Sequence, residues 1–249
     1  MRPSSRWMFI VIAIVCMRLP AWAVSVAWTP VGNPGNGCLY TGGGATGSSG
    51  CYGAVPYAYG IDTYEVTNAQ YAEFLNAKAK TDQLGLYNTG MGSGSGGITR
   101  SGSSGSYTYT PIAGRADMPV NFVSFFDSLR FANWMNNGQG SGDTETGAYT
   151  PLGDTPTPSN GNTVTRNAGA TIFLTSENEW FKAAYYDAAS ASYFYYPAGT
   201  DLNTPTVCAP PTGTPNRANC GNVVGGPTVV GSYPGSPSPY GTFDQGGNV

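Results

Sequence analysis

Apolar positions recur at helical spacing in three stretches, and each stretch is opened by a hydroxyl residue with a side-chain partner three positions on. Ser176 and Glu179 form such a box ahead of Trp180, Ala183 and Ala184, which fall at i, i+3 and i+4 and predict a helix over Ser176–Tyr186 with Trp180 buried. Thr67 and Gln70 precede Tyr71, Phe74 and Leu75, predicting a helix over Thr67–Ala79 with Phe74 inside. Ser124 and Asp127 open a third, Ser124–Met135, whose inner face is Phe126, Leu129 and Asn133, flanked by Phe125, Ala132 and Met135. Looser alternation over Tyr57–Tyr64 and the run Thr171–Leu174 predict short strands. The rest is turn-rich. Asn88–Ser106 is a Gly/Ser tract expected to be a solvated surface insertion, and Asn136–Asn167 is expected to be loop, with Asp143–Glu145 a solvated acidic spot.

Composition narrows the picture. Of the 249 residues only 10% are charged, while 13% are aromatic and Gly and Pro number 36 and 19. That mix describes an ordered, loop-rich domain with aromatic packing. A net charge of −3 leaves no basic surface to repay phosphate binding, so nucleic acid is not an expected partner. The chain has no histidine, which removes His-based triads and every His-ligated metal site.

Residues 1–23 read as a secretory signal peptide. Arg2 and Arg6 precede an apolar run, Trp7 to Met17, too short to span a bilayer, and Ala21-Trp22-Ala23 is a cleavage site. The mature chain then begins at Val24, is secreted or exported to the periplasm or cell surface, and keeps four cysteines: 38, 51, 208 and 220. Four cysteines allow three connectivities. The local pairing Cys38–Cys51 and Cys208–Cys220 is favoured, each closing a short loop worth roughly 3 kcal/mol. No C-x-x-C spacing supports a redox or zinc-ribbon motif.

Several strings then share one resemblance. Glu65-Val66-Thr67-Asn68, with Gln70, Tyr71 and Phe74, resembles the E-V-T-N-x-Q-Y-x-x-F motif of the formylglycine-generating enzyme (sulfatase-modifying factor) family. Leu174-Thr175-Ser176-Glu177 with Glu179-Trp180 and Ala183-Ala184 resembles its L-P-T-E-x-E-W-x-x-A-A, with Thr175 for the usual Pro and Ser176 for the Thr. Pro119-Val120 through Ser124-Phe125 and Asp127 is similar to P-V-x-x-V-S-W-x-D, with Phe125 replacing Trp, and Asn133-Trp134 fits the helix end. Tyr196-Pro197-Ala198-Gly199 and Asn219 follow in order, and the tail to Gly246-Gly247-Asn248-Val249 resembles a motif that in the family continues into W-E-W.

The resemblance covers about Ala27–Val249. It implies an α+β domain with the C-type-lectin-like fold of the formylglycine-generating enzymes: low regular structure and long ordered loops. Residues 24–249 are then one such domain, ending before the family's C-terminal part. It also implies an oxidase that converts a sulfatase cysteine to formylglycine with copper held by a cysteine pair. That pair lies beyond the G-N-x-W-E-W motif, so no catalytic residue is assigned and copper is not expected to bind here. An incomplete calcium set maps onto the Asp244 side chain and the Gly247 and Val249 carbonyls, and a second onto Asn219 and the Cys220 carbonyl. The expected partner is a sulfatase-like protein or a glycan. The competing reading on the same fold is a non-catalytic, lectin-like binding module. A carboxylate hydrolase is the weakest class: Glu177 and Glu179 are explained by capping, Asp62 and Glu65 sit at a strand-to-helix corner, and no acid–base pair is evident. The aromatic run Tyr193–Pro197 is a candidate sugar platform.

Overall fold

The computed structural model describes residues 23–41 and 50–248. Four short strands come first: β1 (Trp28–Val31), β2 (Leu39–Thr41), β3 (Gly50–Tyr52) and β4 (Tyr59–Asp62). β1 and β4 pair antiparallel, with Trp28 opposite Asp62, and β2 pairs with β3. Helix α1 spans Asn68–Lys78. Strands β5 (Ile98–Ser101) and β6 (Thr108–Pro111) form a hairpin against it. Helices α2 (Phe125–Asn136) and α3 (Glu177–Tyr185) follow. Two-residue strands complete the chain: β7 (Tyr186–Asp187) with β8 (Ser192–Tyr193), and β9 (Val207–Cys208) parallel to β10 (Arg217–Ala218). Every sheet among the described residues has two strands, so helices and loops carry most of the packing.

All three helices start where the capping boxes place them. Thr67, Ser124 and Ser176 are the N-caps, and in each the third helical residue reaches back to the cap amide. Tyr71, Phe74 and Leu75 of α1 are buried against Trp134 and Met135 of α2. Phe74 is an aromatic hub, 5.3 Å from Trp134 and 5.4 Å from Tyr71 and Phe131 between ring centroids. A second cluster joins Leu129 and Ala132 to Ala148 and Tyr149, and a third joins Val31, Ile61 and Ala183. Both disulfides are the local ones, Cys38–Cys51 and Cys208–Cys220. No helix among the described residues is long and apolar enough to cross a membrane.

Several local expectations are corrected. Trp180 is not buried: it is 37% exposed, and α3 instead turns Glu179, Lys182, Ala183 and Ala184 inward. Burying the two charged residues is allowed because each has a partner. Glu179 binds Arg166 at 2.6 and 2.9 Å, and Lys182 Nζ donates to the Asn33 carbonyl at 2.9 Å. On α2, Phe125 is exposed, while Trp134 and Arg130 are fully buried. Thr171–Leu174 forms no strand. Side chains satisfy its backbone instead: Asn136 Oδ1 accepts from the Thr171 and Ile172 amides, and Tyr149 Oη from that of Leu174.

The Gly/Ser tract is exposed along much of its length, as expected, but it is anchored rather than loose. It holds a 3-10 turn, Thr89–Gly92, and strand β5, and it buries Met91 and Ile98 in the main core. Its glycines let backbone approach closely: a β-carbon on Gly97 would collide with the Asn68 side chain. Beyond Asn136, the last residue of α2, the chain to Asn167 is loop, as expected; Asp143 is exposed, also as expected, but Glu145 is structural. Arg130, with no exposed surface, donates to Glu145 at 2.7 and 3.2 Å and to the carbonyls of Thr155 and Pro156 at 2.7 and 3.1 Å. Asp143 caps the Thr144–Thr146 turn.

Candidate functional site

The tail folds back onto the corner between β4 and α1. The Phe243 amide donates to the Thr63 carbonyl at 2.9 Å, and the Phe243 ring stacks on Tyr64 at 5.4 Å. This brings Asp244 beside Glu65. Asp244 Oδ2 accepts from the Gly231 amide at 2.6 Å. Glu65 Oε1 accepts from Asn248 Nδ2 at 2.9 Å, while the buried Oε2 has no donor among the described residues. Burial, then the Asp244 carboxylate, pushes the Glu65 carboxyl up to about 7. Burial also raises Asp244, but the Gly231 amide and Glu65 favour its charge. The pair therefore keeps its shared proton on Glu65.

Asn248 locks this arrangement. Its Oδ1 accepts from the Thr228 amide and hydroxyl at 2.7 and 2.8 Å and from Asn219 Nδ2 at 3.2 Å. Its amide donates to the Asn219 carbonyl at 2.9 Å. Gly247, at φ 146°, lies where a β-carbon would strike that same carbonyl.

The described residues mapped to calcium, Asp244, Gly247, Asn219 and Cys220, are thus close in space, but several of their oxygens are already hydrogen-bonded. Asp244 is held by Gly231 and Glu65, the Asn219 carbonyl by Asn248, and the Cys220 carbonyl by the Val223 amide at 3.3 Å. Val249 lies outside the described residues. Calcium takes six to eight oxygens. The described donors fall short of a cage, and among the described residues no three His, Cys, Asp or Glu side chains cluster to hold a metal.

Two hollows flank the tail. The first, of about 360 Å³, runs between the β1–β4 pair, α2 and α3. Trp28 and Trp180 stand at it, Phe131, Met135 and Ile172 line it, and Asp62, Glu65 and Asp244 are its carboxyl groups. Burial pushes Asp62 up to about 6. The second, also about 360 Å³, lies beside the Cys208–Cys220 disulfide and is lined by tyrosines and Arg217. A separate network under α3 is structural. Burial would raise the Glu179 carboxyl, but Arg166, the Ser176 amide and the Tyr57 hydroxyl outweigh it and hold it at about 2.

Reasoning from sequence missed the Glu65–Asp244 pair and the hub at Asn248. Both partners lie in recognised motifs, but no spacing rule joins motifs so far apart.

These features define an α+β domain of capped helices and two-stranded ladders, stapled by two disulfides, whose tail seals a strand-to-helix corner. Residues 54–249 match the model of the FGE-sulfatase family, described as the Sulfatase-modifying factor enzyme 1-like domain. The match covers well over half of the chain, and the chain belongs to that family. No curated protein and no solved structure gives a significant match.

Proposed function

We propose that the chain is an exported sulfatase-modifying-factor-domain protein, similar to the oxidases that convert a sulfatase cysteine to formylglycine, and that residues 24–249 do not perform that oxidation themselves. The observation carrying this is the closure of Cys38–Cys51 and Cys208–Cys220 as disulfides. The chemistry needs a reactive thiolate or a soft metal held by thiolates, and a structural disulfide supplies neither. Cys16, the fifth cysteine, lies in the proposed signal peptide, and no histidine is present to substitute.

Export is supported at the proposed cleavage point. Ala23 is exposed, whereas Val24 is buried, its amide donating to Gln139 Oε1 at 2.6 Å and its carbonyl accepting from Gln139 Nε2 at 2.9 Å. The fold we assign is the C-type-lectin-like one of the family. Calcium at Asp244, Gly247 and Val249, with Asn219 and Cys220, is proposed only as a weak site, because the donors are few and already engaged. The second reading, a non-catalytic binding module, is favoured by the tyrosine-lined hollow.

The test is to incubate the purified processed chain with copper, oxygen and a peptide carrying the C-x-P-x-R sulfatase motif. Mass spectrometry should show an unchanged thiol above the copper-only blank. Formylglycine formed faster than that blank would overturn the proposal.

A further inference from the structure

The hollow beside the Cys208–Cys220 disulfide carries unused hydrogen-bonding capacity. Arg217 lines it, and its guanidinium has no hydrogen-bond or ion-pair partner among the described residues. Thr206 Oγ1, also in the lining, is buried without a partner. The hydroxyls of Tyr185, Tyr195 and Tyr196 make no hydrogen bond among the described residues, and Tyr195 is 65% exposed. A buried hydroxyl left unpaired is costly, so its presence in an open hollow points to a polar occupant.

The backbone around the hollow is held at several points. Arg217 pairs in register with Val207, the residue after Thr206, and Arg217 and Thr206 both line the hollow. The disulfide ties Cys208 of β9 to Cys220. Asn216 pins the approach by donating to the Thr204 and Pro205 carbonyls, both at 3.0 Å. The other charged group in the lining, Asp244, is engaged by Gly231 and Glu65. Arg217 is therefore the charge left for a ligand, and it calls for an anion.

Tyrosine rings stack on the faces of sugar rings, free hydroxyls bond to sugar hydroxyls, and a guanidinium pairs with a carboxylate or sulfate. The volume of about 360 Å³ sits within the small-ligand range. We propose that this hollow is a binding site for an acidic saccharide, a pyranose bearing a carboxylate or a sulfate ester, with Arg217 on the anion, Tyr195 and Tyr196 against the ring, and Thr206 on a hydroxyl. This rests on the binding-module reading and names its ligand class.

Calorimetry on the processed chain tests it with three probes: a glucuronic-acid disaccharide, its O-sulfated form, and its neutral methyl ester. One or both acidic forms should bind, the ester at least tenfold more weakly, and which acid binds better tells carboxylate from sulfate. Arg217→Gln should lose at least tenfold on the acidic probe, Arg217→Lys should recover part, and Tyr195→Ala should lose several-fold. Unchanged near-ultraviolet circular dichroism verifies that these surface variants fold. Equal binding of acid and ester would overturn the proposal while leaving a binding module in place. Binding indifferent to Arg217→Gln, or absence of binding by all three probes, would overturn it as well.

Discussion

Glu65 is where pH should act on stability most visibly. Its carboxyl ionises at about 7 in the fold against an ordinary 4.5. Between those values the unfolded chain has released a proton that the folded chain retains. The contribution is therefore full below about 4.5 and lost as pH rises to about 7. A displacement of that size corresponds to about 3 kcal/mol, counted once for the pair with Asp244. Asp62, pushed by burial to about 6, acts in the same direction. Glu179 acts oppositely, but its contribution is lost only as pH falls below its ordinary range toward about 2. Glu65→Gln isolates the effect. Glutamine keeps an oxygen for Asn248 Nδ2 and presents an amide donor to Asp244 without a titrating proton. Urea unfolding of the processed chain and the variant, at pH 5, 6, 7 and 8 with disulfides intact, should give near-equal stabilities at pH 5. At pH 8 the variant should be more stable by about 2–3 kcal/mol, or roughly 4–12 °C in melting temperature. Parallel stability curves, or a variant that loses ground as pH rises, would refute the reasoning.

Other outcomes follow from the same structure. Arg130→Met should destabilise by about 3–5 kcal/mol in urea unfolding, since it strands Glu145 and the Thr155 and Pro156 carbonyls. Asn248→Ala removes the group joining Glu65, Thr228 and Asn219 and should cost about 2–3 kcal/mol, with amide exchange accelerated at Thr228. Calcium titrated calorimetrically should give at most weak binding, in the roughly millimolar range. A tight one-to-one isotherm abolished by Asp244→Ala would show that the engaged carboxylate can be recruited.

What was legible in the sequence was local. The three helix starts could be read because a capping box is complete within four residues, and Phe74 because its neighbours Tyr71 and Leu75 share its face. The two disulfides close over loops with sequence separations of 13 and 12, short enough for proximity to decide. Trp180 was misjudged because an apolar stripe assumes that charges face water, and Glu179 finds Arg166 inside. The Gly/Ser tract looked solvated by composition, yet two apolar residues, Met91 and Ile98, suffice to anchor it when glycine permits close approach. The corner of Glu65, Asp244 and Asn248 was beyond local reasoning, since the hydrogen bond joining Glu65 to Asn248 spans 183 residues. Those residues lie in the family motifs, but only the folded chain shows that they meet.

The central claim is that residues 24–249 carry no thiol for cysteine oxidation. The direct measurement is alkylation of the unfolded, unreduced processed chain with iodoacetamide, followed by intact mass and disulfide-linked peptide mapping. The account predicts no added label, with Cys38 linked to Cys51 and Cys208 to Cys220. A labelled cysteine in the unreduced chain, or a linkage crossing between the two pairs, would contradict it.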